Sequence, residues 1–216
     1  LFEPIVLQNY DTCTTAKPVV TPKDDESPQL QQAIDGLQGY RDKQGRRYIH
    51  LADGGLTDNL GLRAFQEAID LSGGMSAFLS RVDRTPASRL VVISVDSSGN
   101  AGAGLGLSPR APSIARSIDA MTDIQLQRYN AATLELMQDG LKQWTADVST
   151  QAHPVQGHLV VVSLRDLPDP ELRARLEAVP TGFSLSPVQV DELVDAGRRL
   201  LRQNLEFQAL LQALKP

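Results

Sequence analysis

The chain has 216 residues, 41% of them hydrophobic, and a formal net charge of −5. At roughly 150 residues per domain this is one large domain with material for a real core, and the acidic balance argues against a nucleic-acid binder that works by neutralising phosphates. One cysteine, Cys13, excludes an intrachain disulfide framework and a cysteine-based structural zinc site.

In chain order, a short strand is expected at residues 5–7. Residues 11–28 hold three prolines and an acidic run, which predicts a long loop because proline removes a backbone donor and restricts its predecessor. Residues 30–37 can add a short helix. The basic run 41–47 reads as a solvated, hairpin-like loop leading into an extended segment, Tyr48-Ile49-His50-Leu51. Leu60, Ala64, Phe65, Ala68 and Ile69 then recur at helical spacing. Thr57 or Asp58 is available as N-cap, and Gly73-Gly74 supplies a positive-φ stop. Residues 75–88 are expected only to connect onward.

Residues 90–95, Leu-Val-Val-Ile-Ser-Val, form a nearly continuous β-branched run, the mark of a strand buried on both faces. The glycines at 99, 102, 104 and 106 follow it. They read as a surface loop: Leu107 stands where a Gly-x-Gly-x-x-Gly fingerprint needs glycine, and Pro109 and Pro112 keep a helix from opening onto the loop. A long helix is predicted over 113–144, with Ile114, Ile118, Met121, Ile124, Leu126, Tyr129, Leu134, Met137, Leu141 and Trp144 expected in the core. A buried strand at 158–164, a short helix at 168–179 with Asp169 near its start, and a last helix capped by Ser186 and running through Leu205 complete the chain. This alternation predicts an α/β sheet with helices on its faces. The apolar runs are strand-length, so no transmembrane segment is expected.

Asp53-Gly54-Gly55 is the densest candidate for chemistry. Asp53 ends an extended run and precedes a helix, and such strand-to-helix junctions are where α/β folds place catalytic groups. A carboxylate there can accept a proton from a hydroxyl as it attacks an ester. Two glycines allow a tight turn and leave room for an approaching substrate. From the residues alone, an ordinary turn is the commoner reading of Asp-Gly-Gly after a strand. A Ser-His-Asp triad is not indicated, since His50 lies in the strand three residues before Asp53 and need not converge on it. A metal site from His50, Asp53, Asp58 and Asp96 matches no standard ligand spacing.

The string Asp53-Gly54-Gly55 with Thr57-Asp58-Asn59-Leu60-Gly61 resembles the Asp-Gly-Gly/Ala motif of patatin-like phospholipases. Outer matches extend the resemblance across the chain: Pro4 to Tyr10 with Cys13, Pro180 to Leu185, Val190-Asp191, and Ala196-Gly197-Arg198 are similar to segments of a bacterial patatin-like subgroup. The resemblance implies a three-layer α/β/α sheet and hydrolysis of lipid or phospholipid esters at a membrane surface by a Ser-Asp dyad. It makes Asp53 the base, with Gly54 and Gly55 in the motif turn and Asp58 and Asn59 in the supporting loop. It implies no metal and no organic cofactor.

The nucleophile departs from the pattern. Gly-x-Ser occurs at 74–76, 106–108 and 182–184, but Phe78, Arg110 and Ser186 stand where Gly-x-Ser-x-Gly needs its last glycine. In the family the serine and its oxyanion loop precede the aspartate, so both would fall upstream of Leu1. The chain is therefore expected to be the C-terminal part of a single domain over 1–216, its sheet incomplete on the N-terminal side. Residues 1–110 would hold the catalytic-aspartate portion, and 111–216 a helical portion with one strand.

Overall fold

The computed structural model describes residues 4–10, 28–98, 106, 109–179 and 184–215. Cys13, the proline-rich loop, nearly all of the glycine-rich segment and residues 180–183 lie outside them.

The fold is mixed α/β, with its strands in two separate pairs. β1 (Ile5–Gln8) runs antiparallel to β2 (Tyr48–Leu51), with Val6 opposite His50. Between them in the chain come α1 (Pro28–Gly39) and the basic turn. The Asp42 carboxylate accepts from the Gly45 N–H at 2.9 Å, and the Arg46 guanidinium stacks 5.1 Å from the Tyr40 ring centroid. Asn9 donates its amide to the carbonyls of Tyr40 and Arg46 at 2.9 and 2.8 Å, tying the end of β1 to this turn. The basic run is thus a solvated turn, as its composition implies.

The second pair carries the core. β3 (Arg89–Asp96) is parallel to β4 (Gln156–Ser163), with Ile93 opposite Val160. Parallel neighbours need a long crossover, and α4 (Ile114–Val148) lies within it. Successive side chains point to opposite faces. On one face Leu90, Val92 and Leu159 meet α2 (Arg63–Ser72), α3 (Met75–Arg81) and the second half of α4, around Ile69, Met75, Met137, Leu141 and Trp144. Phe65 packs edge-on against Phe78 and Trp144, with centroids 5.9 and 5.5 Å apart, the geometry that the ring quadrupole favours. On the other face Val160 and Val162 meet Leu167, Leu176 of α5 (Pro170–Glu177), Ala196 and Leu200 of α6 (Pro187–Gln203), and Phe207 of α7 (Leu205–Ala213).

Local signals translate directly. Gly73 and Gly74 adopt φ of +88° and +107° and stop α2. Asp169 caps α5, and Ser186 caps α6 in a reciprocal capping box with Gln189. Trp144 is buried, as assigned.

Other expectations are corrected. β3 is not buried on both faces: Val91, Ile93 and Val95 stand exposed, Val95 to 66%, on the face where α6 and α7 pack against β4. The first half of α4 likewise exposes Ile114 (81%), Ile118, Met121, Ile124 and Tyr129, against the core placement that their apolar character predicts. The strand before Asp53 belongs to the antiparallel pair and not to the parallel one. Residues 75–81 are helical because Gly74 ends one helix and the Asp147 carboxylate accepts the Ser76 N–H at 2.9 Å at the start of the next. The last helix is two, broken at Asn204, whose side chain donates to the Val161 carbonyl at 2.9 Å and accepts the Phe207 N–H at 3.0 Å.

Candidate active site

β2 ends at Leu51, and Asp53 follows in an extended conformation, φ −57° and ψ 132°. Its Oδ1 accepts the Gly55 N–H at 2.9 Å and so N-caps a single 3-10 turn over Gly54–Leu56. The Gly54 carbonyl accepts the N–H groups of Thr57 and Asp58 at 3.1 and 2.8 Å, closing the turn. The tight turn is as expected, but its glycines are not there for positive φ. That conformation falls on Gly61, at +67°. A Cβ placed on Gly54 would meet no atom within 4 Å, so space stands open beside the turn.

Asp58 serves the helix start at longer range than a regular cap. Its two carboxylate oxygens accept the Leu62 and Ala64 N–H groups at 3.2 and 3.1 Å, while Leu62 holds the N-cap position without a side-chain bond. A negative charge at these unpaired donors is favourable. Asn59 points elsewhere: its amide donates to Ser98 Oγ at 3.1 Å.

Ser98 lies just past β3. Its N–H and its hydroxyl both donate to Asp96 Oδ1, at 3.0 and 2.5 Å, and its Oγ also accepts from the Asn130 amide at 3.2 Å. Neither Ser98 nor Asn130 carries a motif of its own, and Asp96 matches no metal-ligand spacing. The available signal was Asp-x-Ser at the end of a strand, a local side-chain-to-backbone turn.

A cavity of about 430 Å³ opens against the turn. Gly55 lines it on one side, and Gln125, Leu126, Arg128, Tyr129 and Ala132 of α4 on the other. Arg63, the first residue of α2, orients this wall. Its Nε donates to Thr133 Oγ1 at 2.9 Å, and its guanidinium lies 4.2 Å from the Tyr129 ring centroid, within cation–π range. The wall therefore offers apolar surface with a cation, Arg128, at the same cavity.

His50 is a strand residue opposite Val6. Of the three Gly-x-Ser sites, Ser76 lies in the first turn of α3, and Gly106-Leu107-Ser108 and Gly182-Phe183-Ser184 fall largely outside the described residues. Among the described residues no three His, Cys, Asp or Glu side chains gather as metal ligands, and no helix is long and apolar enough to cross a membrane. Comparison of the chain with protein-family models, characterised proteins and solved structures finds no match.

Proposed function

We propose that the chain is the C-terminal part of a patatin-like lipid acyl hydrolase, in which Asp53 is the general base and the serine nucleophile comes from sequence preceding residue 1. The observation that carries this is the position of the Asp53 turn, at the end of a strand and at the rim of a largely apolar cavity. The sequence string from Asp53 to Gly61 supplies the family. The uncovered face of β3 is consistent with a larger three-layer α/β/α sheet, whose further strands and helices would bury it.

In this mechanism the serine hydroxyl attacks the ester carbonyl as its proton passes to the Asp53 carboxylate. The tetrahedral intermediate collapses, the alcohol leaves with that proton, and water then hydrolyses the acyl-serine by the same relay. Leu126, Tyr129 and Ala132 suit an acyl chain, and Arg128 suits a headgroup phosphate.

The test uses the full-length protein with phospholipid vesicles and a fluorophosphonate, which traps an activated serine. Fatty-acid release and covalent labelling of one serine are expected. Absence of both fatty-acid release and serine labelling would remove the hydrolase assignment.

A second function, a lipid-binding patatin-like scaffold without catalysis, draws on the apolar side chains that α4 exposes from Ile114 to Ile124. Vesicle co-sedimentation without ester hydrolysis would select it.

A further inference from the structure

We propose that Ser98 and Asp96 are positioning residues that lock the Asp53 turn onto the end of β3 and onto α4. The catalytic consequence rests on the proposed role of Asp53; the structural one does not. Asp96 and Asn130 are both more than nine-tenths buried, and Ser98 is half-buried between them. The Ser98 hydroxyl donates its one proton to Asp96 Oδ1. That leaves two lone pairs on Oγ. The amides of Asn59 and Asn130 take them, at 3.1 and 3.2 Å. The hydroxyl is thereby saturated, and the polarity of the cluster is set from the Asp96 end: with Oγ accepting, both asparagines must present NH₂ and not C=O.

Three segments distant in sequence meet at this one oxygen. Asn59 belongs to the loop that begins with the Asp53 turn, and its neighbour Asp58 holds the start of α2. Asp96 ends β3. Asn130 stands on α4, next in sequence to Tyr129 of the cavity wall. A shift of Ser98 would thus move the loop and the wall of the cavity together. Asn130 Oδ1 is buried with no hydrogen-bond partner among the described residues, so the order of the cluster rests on its donors, and a buried donor that loses its acceptor loses its full solvation.

Amide hydrogen exchange on the full-length protein tests this whether or not it hydrolyses any ester. Ser98→Ala is expected to speed exchange at the Gly55, Leu62 and Ala64 amides by on the order of tenfold, with α6 and α7 unchanged. Ser98→Thr, which keeps the hydroxyl, is expected to restore slow exchange. If Ser98→Ala loosens the whole fold, Asn59→Ala cuts the same link from the loop side and should give the local effect. Unchanged exchange at those three amides in Ser98→Ala, or in Asn59→Ala where that variant decides, would overturn the proposal. Where the wild type releases fatty acid, Ser98→Ala should lower kcat and raise KM together, because the Asp53 turn and the cavity wall shift as one, and Ser98→Thr should restore both. A wild type without that activity removes the hydrolase assignment alone, since exchange still judges the positioning role.

Discussion

Asp53 caps a turn and in the proposed mechanism is also the base, and one substitution separates the two. As a cap it needs only an acceptor oxygen on the Gly55 N–H, 2.9 Å away. Asparagine provides that oxygen and ranks with aspartate as an N-cap, so Asp53→Asn should change unfolding free energy by less than about 0.5 kcal/mol. Asp53→Ala removes the acceptor and should cost about 1 kcal/mol. As a general base the side chain needs a proton affinity that an amide lacks. Loss of such a base lowers turnover by roughly 100- to 10,000-fold, or about 3–5 kcal/mol of barrier at 1.36 kcal/mol per decade. The assay pairs urea unfolding with fatty-acid release by the full-length protein. Intact mass should be followed, because an Asn-Gly sequence deamidates back towards aspartate. Retention of turnover within threefold in Asp53→Asn would refute the base assignment and leave Asp53 a turn residue.

Asn204→Ala removes the α7 cap and the bond to the Val161 carbonyl, about 1 kcal/mol each; a loss near 2 kcal/mol in urea is expected, and one under about 0.5 would show the break is held by packing alone. Gly157→Ala would place a Cβ 2.8 Å from Leu141 Cγ and 3.1 Å from Thr145 Cγ2. The resulting overpacking should cost about 1–3 kcal/mol and lower Tm, and an unchanged Tm would mean that α4 yields there. Burial raises the Asp70 carboxyl above its ordinary range, so the folded chain holds that proton more tightly than the unfolded one. Its contribution to stability is present below the unfolded pKa and lost as pH rises through the folded one. Asp70→Asn should therefore gain stability relative to wild type between about pH 3 and 6; a constant difference over that window would count against the shift.

What could be read from the chain follows from the range of each interaction. Ser186 with Pro187, Asp169 before α5, and Gly73-Gly74 after α2 announce their elements because capping involves backbone groups two or three residues away. The Asp53 turn was legible for the same reason. The break at Asn204 was not, because half of what holds it is the Val161 carbonyl on another strand. A β-branched run says that residues 89–96 extend, but exposure of Val91, Ile93 and Val95 depends on which helices reach that face.

The sequence by itself determined the α/β alternation, the caps at Asp169, Ser186 and Gly73-Gly74, and the placement of Asp53 at a turn after a strand, all set by periodicity and near neighbours. Only the tertiary structure decided that β2 pairs with β1, that α4 turns apolar residues outward at Ile114 and Ile118, and that Ser98 gathers Asn59 and Asn130. Each of these depends on partners more than thirty residues away or on which neighbours cover a face, and no local pattern encodes either.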